Sequence, residues 1–352
     1  MSITFFCSSK DIKHIFGLRC FDIEEIEDIA FIPLTRKHIY PMRKTHIPHI
    51  ANDKTEETLM RITEELSHPT EEEKRMQPRG EGHYPSIDAL QEVVHLVKNI
   101  IFPDFFDRPR STEVIRRYFI GVDMELLHDI LYREIGHALL FDSDREETEA
   151  EQQGYSLATQ FLTKLPELKR LLYSDVQAIA DSDPAVRNYA EIILSYPVVT
   201  AMVHHRVAHA LVQLGIPVLP RIISEQAHSL TGIDIHPGAT IGEYFAIDHG
   251  TGVVIGETCI IGNHVTIYQG VTLGARNFSY DSDGHPINLP RHPILEDNVT
   301  VYANATVLGR VTIGEGSVIG GNVWLTESVP PHSRVVQGEC SHATVKPLTP
   351  NE

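Results

Sequence analysis

Cysteine and tryptophan are scarce in this chain, which has four cysteines and one tryptophan among 352 residues. The cysteines show no CxxC spacing and are too few for a disulfide scaffold of this length. They are Cys7, Cys20, Cys259 and Cys340. We therefore expect a protein of a reducing, cytoplasmic compartment that is stabilised by a buried core.

Positive charge is also in short supply, because 48 acidic residues outnumber 30 lysines and arginines and leave a net charge of −18. This balance argues against a nucleic-acid binder and against adhesion to anionic membranes. No apolar run approaches the length of a transmembrane helix, and the first residues lack the features of a signal peptide. Small-molecule chemistry, with no nucleic acid and no membrane as partner, fits the composition better.

The pattern along the first two thirds of the chain separates an extension from a helical domain. Residues 1–80 mix charge, histidine and proline without a sustained period, and we interpret the run 70–82 as a linker. From 81 to 231 apolar residues recur three and four apart, as in 87–100, which follows the candidate N-cap Ser86. Further helices are predicted around 123–141, 155–173 and 185–213, the last stopped by Gly215 and Pro217.

Between 232 and 335 the helical period gives way to a period of six. Each six-residue unit is a short strand and a turn, and its aliphatic side chain points into a narrow interior. A glycine often follows the aliphatic residue, where we expect it to permit the turn geometry. The pattern predicts a left-handed parallel β-helix with a loop at 275–293 and a tail at 336–352. The aliphatic positions are Ile235, Ile241, Ile247, Ile255, Ile261, Ile267, Leu273, Leu295, Val301, Val307, Ile313, Ile319 and Leu325.

Polar residues interrupt this repeat at three places, and their side chains suit acyl transfer to an amino acid. A neutral imidazole can take the proton of a hydroxyl as it attacks a thioester, and a carboxylate can fix the imidazole tautomer. An arginine offers two parallel N–H donors to a carboxylate. The interruptions contain Asp234 and His236, then Asp248 and His249, then Arg291 and His292.

Four ordered motifs resemble those of the serine acetyltransferases. They are residues 231–239 (TGIDIHPGA), 248–258 (DHGTGVVIGET), 268–274 (YQGVTLG) and 291–293 (RHP). The segment 181–185 (DSDPA) is similar to the part of the family's helical domain that reaches into the active site. The resemblance covers about residues 175–335.

The resemblance implies transfer of acetyl from acetyl-CoA to L-serine for cysteine biosynthesis, with no permanently bound cofactor and no metal. It implies that His249 is the general base and that Asp234 orients it. It places Asp183 and Asp248 at the ammonium and hydroxyl of serine, and Arg291 and His292 at its carboxylate. Acetyl-CoA is implied to lie between neighbouring subunits, along the backbone at Gly274, Ala275, Ala303 and Gly321.

The resemblance also implies an assembly, namely trimers about the β-helix axis that can pair into hexamers, with each active site shared by two subunits. Cysteine commonly inhibits such enzymes by occupying the serine site. Many members end in an isoleucine that enters the active site of O-acetylserine sulfhydrylase, whereas this chain ends in TPNE, which argues against that complex. The loop 275–290 is similar to that of a longer-chain bacterial branch.

Three alternatives remain open from the residues alone. One is a different hexapeptide acyltransferase, with homoserine, a sugar or a xenobiotic as acceptor. Another is a metal lyase of the γ-carbonic anhydrase type, which would use three histidines on zinc. The third is a scaffold without activity. His205 and His209 lack the glutamate of an HExxH motif and are expected on a helix surface, while Phe161, Tyr189 and Tyr196 are expected in the helical core.

Overall fold

The computed structural model describes residues 53–76, 84–106 and 112–338, except 142, 144 and 278. The chain divides into two units at residue 74. In the described part of the first unit, helix α1 spans Asp53–Ser67, and helix α2 spans Glu71–Met76 across the boundary. Among the described residues, no helix is long and apolar enough to span a membrane.

Helix α2 lies inside the run 70–82, which the sequence analysis interprets as a linker and which contains the boundary between the two units. The helix begins with a capping box. The N–H of Thr70 donates to Oε2 of Glu73 at 2.6 Å, and the N–H of Glu73 donates to Oγ1 of Thr70 at 3.2 Å. The second half of the run, from 77, is outside the described residues.

The helical part of the second unit has six described helices. Ser86 caps the first one as predicted, since its Oγ accepts the N–H of Ala89 at 3.2 Å. The predicted helix 185–213 is in fact two helices, because Tyr196 precedes Pro197 and takes an extended conformation. The six helices are α3 (Ile87–Ile101), α4 (Glu113–Leu140), α5 (Glu147–Ser182), α6 (Tyr189–Ser195), α7 (Pro197–Gln213) and α8 (Leu219–Thr231).

The predicted solenoid is confirmed. Its short strands form three parallel sheets, which we name A, B and C, joined at corners by turns. Sheet A contains β1 (Asp234–Ile235), β4 (Val254–Ile255), β7 (Thr272–Gly274), β12 (Thr306–Leu308) and β15 (Trp324–Leu325). Sheet B contains β2 (Thr240–Ile241), β5 (Ile260–Ile261), β10 (Ile294–Leu295) and β13 (Thr312–Ile313). Sheet C contains β3 (Ala246–Asp248), β6 (Thr266–Tyr268), β11 (Thr300–Val301), β14 (Val318–Ile319) and β16 (Arg334–Val335).

The aliphatic positions of the repeat fill the interior of this β-helix. All are buried except Leu325 in the last coil, which is partly buried. Equivalent residues pair between coils, as Ile241 does with Ile261 and Leu295 with Ile313. The predicted loop leaves the β-helix between β7 and β10, and it contains a small antiparallel pair, β8 (Ser279–Tyr280) and β9 (Pro286–Ile287).

The glycine after the aliphatic residue has a different role from the one expected. The glycines that directly follow an aliphatic repeat position do not take left-handed backbone angles. Residues at other turn positions do, including His249 at φ 57°. These glycines instead allow close approach of the next coil. A Cβ on Gly242 would lie 2.6 Å from the carbonyl oxygen of Gly262, and one on Gly314 would lie 2.3 Å from the nitrogen of Pro331.

Candidate active site

One corner of the β-helix, between sheets C and A, brings together Asp183, Tyr196, Asp248 and His249; we call it the His249 corner. Asp248 ends β3, and His249 begins the following turn with a left-handed backbone. The His249 side chain is 74% exposed, and its Nε2 lies 3.8 Å from Oδ1 of Asp248. An exposed imidazole beside a carboxylate can exchange protons with a bound substrate.

The helical domain contributes Asp183 to this corner from the C-terminal end of α5. Oδ2 of Asp183 accepts the hydroxyl of Tyr196 at 2.7 Å, and Oδ1 accepts the N–H of Ala185 at 2.8 Å. These hydrogen bonds lower the pKa of Asp183, and its electrostatic interaction with nearby His249 also acts to lower it. Asp183 is therefore an anion within the electrostatic reach of His249.

Tyr196 is a residue of this corner that the sequence placed in the helical core. Its hydroxyl donates to Asp183, which raises the pKa of Tyr196 to about 12, with a further contribution from Asp248. Of the other two expected core aromatics, Phe161 is fully buried and Tyr189 is exposed. The sequence signal for Tyr196 was the following proline, which breaks the helix and turns the tyrosine towards Asp183.

A second corner, between sheets A and B, contains the predicted residues Arg291 and His292; we call it the His292 corner. His292 is only 7% exposed. Its Nδ1 accepts the N–H of Thr258 at 3.1 Å and lies 2.9 Å from the Thr258 hydroxyl oxygen. A Cβ on Gly256 would lie 2.0 Å from the His292 ring. Glycine is thus required at 256 for the ring to occupy this position.

Burial keeps the histidines of this corner neutral. Burial and the charge of Arg291 lower the pKa of His292 to about 4. Burial also lowers the pKa of His236, whose Nδ1 accepts the N–H of Gly238 at 3.0 Å. At neutral pH His292 is thus a hydrogen-bonding group that does not change its charge.

Arg291 is held by an acidic residue that the sequence interpretation missed. Its Nη2 donates to Oε2 of Glu257 at 2.7 Å, and its Nη1 donates to Oδ1 of Asn288 at 2.7 Å. Burial alone would raise the pKa of Glu257, but the hydrogen bonds from Arg291 and Asn288 bring it below its ordinary value. Glu257 lies in the quoted motif 248–258, yet its partner is 34 residues away, so spacing gave no signal.

Asp234 lies on β1 of sheet A, between the two corners. Its charge contributes to the field at His236. Within the part of the chain that the structure describes, no hydrogen bond or ion pair joins Asp234 to His249. Its role in orienting His249 stays a prediction.

The four backbone positions predicted for acetyl-CoA fall at both corners. Ala303 and Gly321 are stacked on the His249 side, where the carbonyl of Ala303 accepts the N–H of Asn322 at 2.9 Å. Gly274 and Ala275 lie on the other side, where the loop begins. A cleft of about 340 Å³ opens beside them. It is lined by Arg276, Asn277, Ile287, Leu289, Pro290, Arg291, Leu308, Gly309, Arg310, Val311 and Thr326.

His205 and His209 lie where the helical domain meets the β-helix, so the expected surface position is wrong for His205. His205 is 3% exposed, and its ring stacks on that of His209 at 5.7 Å. Nδ1 of His209 lies 2.9 Å from the carbonyl oxygen of Pro237 in the first coil. Among the described residues, no group of three histidine, cysteine or acidic side chains is placed to bind a metal ion.

Comparison with known proteins extends the resemblance over most of the chain. The family profile "Bacterial transferase hexapeptide (six repeats)" matches residues 292–327. A "Serine acetyltransferase, plasmid" of Synechococcus elongatus is 48% identical over 262 residues, which are 72% of this chain and 82% of that protein. This chain belongs to the serine acetyltransferase family. A serine acetyltransferase of Bacillus subtilis is 47% identical over 167 residues, 47% of this chain and 73% of that protein.

Solved structures of the serine acetyltransferase family share the fold. Isoform 3 from Entamoeba histolytica, in complex with cysteine, aligns with a TM-score of 0.60 and 36% identity over 73% of this chain and 84% of its own. Serine acetyltransferase 1 of the same organism, in complex with L-cysteine, aligns with a TM-score of 0.62 and 34% identity over 70% of this chain and 86% of its own. The helical domain followed by the β-helix is therefore the architecture of the family.

Proposed function

We propose that this chain transfers the acetyl group of acetyl-CoA to the hydroxyl of L-serine, forming O-acetyl-L-serine for cysteine biosynthesis. The observation that carries the proposal is the His249 corner, where an exposed histidine lies beside Asp248 and within the field of Asp183. The 48% identity to a serine acetyltransferase over 262 residues supports serine as the acceptor.

His249 is the proposed general base. Its neutral ring takes the proton of the serine hydroxyl as the serine oxygen attacks the thioester carbonyl carbon. The carbon–sulfur bond then breaks, and the CoA thiolate takes the proton back from the imidazolium. Asp234 is proposed to orient the ring. The left-handed backbone at His249 places the imidazole outside the regular strand and leaves it exposed to substrate.

The remaining predicted residues hold the two charged groups of serine. Asp183 and Asp248 are acidic and suit the ammonium and hydroxyl, whereas Arg291 and neutral His292 suit the carboxylate. The two acidic residues and the Arg291–His292 pair lie at different corners of one chain. We therefore propose that one site combines the His249 corner of one copy with the His292 corner of another. A trimer about the β-helix axis, able to pair into a hexamer, would supply such a neighbour.

Acetyl-CoA is the proposed co-substrate, bound in the groove between copies along Gly274, Ala275, Ala303 and Gly321, with no permanently bound cofactor. Cysteine is proposed to compete for the serine site, which the cysteine-bound relatives support. We place the protein in the cytoplasm, an assignment supported by Cys259, which is buried as a free thiol. Its pKa is raised by burial to about 12.

The test is release of CoA thiol from acetyl-CoA by the purified protein, with L-serine, L-homoserine, a sugar panel or no acceptor. We expect release that depends on L-serine and is inhibited competitively by L-cysteine. Release only with another acceptor would retain acyl transfer but remove Asp183, Arg291 and His292 from their proposed roles. No release with any acceptor would contradict the proposal.

A further inference from the structure

The first coil of the β-helix has no preceding coil to bond with its backbone. In the second coil, the carbonyl of Ile261 accepts the N–H of Gly242 from the coil before it, at 2.9 Å. The equivalent carbonyl of the first coil, at Ile241, has no such neighbour. Buried backbone groups need hydrogen-bond partners, so the end of a solenoid must be capped by other means.

Arg206 of α7 supplies the missing donors to this end of the β-helix. Its Nη1 donates to the carbonyl of Ile241 at 2.7 Å, and its Nη2 donates to that of Gly242 at 2.6 Å. The same guanidinium contacts both carboxylate oxygens of Asp175 on α5, at 2.9 and 3.1 Å. The Arg206 and Asp175 side chains are 5% and 3% exposed. We call these two residues the junction pair.

Side chains of helix α5 also accept hydrogen bonds from two backbone N–H groups of the same turn. Oδ1 of Asp175 accepts the N–H of Phe245 at 3.2 Å, and Oγ of Ser174 accepts the N–H of Tyr244 at 3.1 Å. Two carbonyls and two N–H groups of the turn 241–245 are thus bound by side chains of two helices. The turn is fixed relative to both α5 and α7.

Two short, regular segments lead from this junction to the His249 corner. Helix α5 runs eight residues from Asp175 to Asp183, about 12 Å at the rise of an α-helix. Strand β3 begins directly after Phe245 and reaches Asp248 within three residues, about 10 Å. Both segments end at the His249 corner. There Asp183 interacts electrostatically with His249, and Tyr196 interacts electrostatically with Asp248. The position of Asp183 against Asp248 and His249 therefore depends on how α5 is joined to the turn.

We propose that Asp175 and Arg206 are positioning residues for serine, which set the distance between Asp183 on the helical domain and Asp248 and His249 on the β-helix. The proposal rests on the proposed function. Serine would be held from both sides of the junction, whereas the acetyl-CoA contacts proposed at Gly274, Ala275, Ala303 and Gly321 belong to the β-helix alone. Disturbing the junction should therefore weaken serine binding selectively.

The test measures the KM for serine and for acetyl-CoA in Arg206→Lys, which retains the charge but cannot make all five hydrogen bonds of the planar guanidinium. We expect the serine KM to rise about tenfold and the acetyl-CoA KM to change less than about twofold. Lysine cannot donate two parallel hydrogen bonds as arginine does. The raised serine KM should therefore persist when acetyl-CoA is saturating. Serine-dependent activity of the unsubstituted enzyme tests the proposed function separately.

Arg170→Gln is the matched control. Arg170 also lies on α5 and pairs with Glu243 of the same turn, but that pair is exposed. We expect both KM values of the control to stay within about twofold of the original. If Arg206→Lys loses its helical circular dichroism, Ser174→Ala replaces it, with a serine KM about threefold higher. An unchanged serine KM in a folded variant, or an equal rise in both KM values, would overturn the proposal.

Discussion

The His249 corner and the His292 corner present the same kind of side chain in opposite surroundings. The His249 side chain is 74% exposed beside Asp248, whereas His292 is 7% exposed and bonded to Thr258. Burial lowers the pKa of His292 to about 4, so it does not exchange protons near neutral pH. The surroundings of each histidine therefore decide what it can do. The exposed histidine can move a proton, and the buried one can only bind and orient.

The largest effect is expected from replacing His249, the proposed general base. His249→Asn retains a residue type that tolerates the left-handed backbone, as Asn298, Asn304 and Asn322 show at other turns. We expect kcat to fall by about 10³-fold, the usual range for a general base, with melting temperature and oligomeric state unchanged. A kcat within tenfold of the original would mean that His249 is not the base.

The next largest effect is expected from Arg291 at the other corner. Arg291→Ala should raise the serine KM by about 10- to 100-fold, because a charge-assisted contact to the carboxylate is lost, while kcat falls much less. Steady-state kinetics at varied serine would measure both constants. Arg221→Ala, at an exposed arginine paired with Glu225 on α8, is the control and should leave the serine KM unchanged.

The third prediction concerns stability at acid pH. The folded-state pKa of His292 lies below the unfolded value of about 6.5, so the unfolded chain binds more protons between the two values. The contribution of neutral His292 is complete above about pH 6.5 and is lost as the pH falls towards 4, on the order of 3 kcal/mol in total. Urea unfolding of the protein and of His292→Asn from pH 7 to 4 would measure it. We expect a shallower loss in the variant; equal slopes would mean that His292 is not the titrating group.

The smallest effect is expected at Tyr196, which donates to Asp183, the carboxylate proposed to bind serine. In Tyr196→Phe the pKa of Asp183 should rise towards its ordinary value, and the serine KM should rise about fivefold through the lost hydrogen bond. Tyr189→Phe is the control, since the Tyr189 hydroxyl bonds to Gln177 outside the site. A serine KM that changes equally in both variants would remove Tyr196 from the site.

The β-helix was predictable from sequence because its interior repeats. A narrow solenoid accepts one aliphatic side chain every six residues, so burial could be assigned position by position, as for Ile261 and Leu295. The site was less predictable because its contacts join distant segments. Glu257 meets Arg291 across the loop, and Tyr196 reaches Asp183 through a helix break. The role of the repeat glycines was misjudged because close approach between coils is a tertiary property, which the turn pattern does not reveal.

A site shared between two corners is tested most directly by combining two impaired variants in one assembly. His249→Asn and Arg291→Ala chains would be co-expressed with different tags, and mixed oligomers would be isolated through both tags and assayed at a serine concentration far below the KM of the Arg291→Ala variant. If one site uses corners of two neighbouring copies, every mixed trimer should contain one site of the original composition, about one third of its sites, with a matching gain in activity. If both corners serve sites within a single chain, the mixed oligomers would be no more active than the two variants alone, and an active site shared between neighbouring copies would be ruled out.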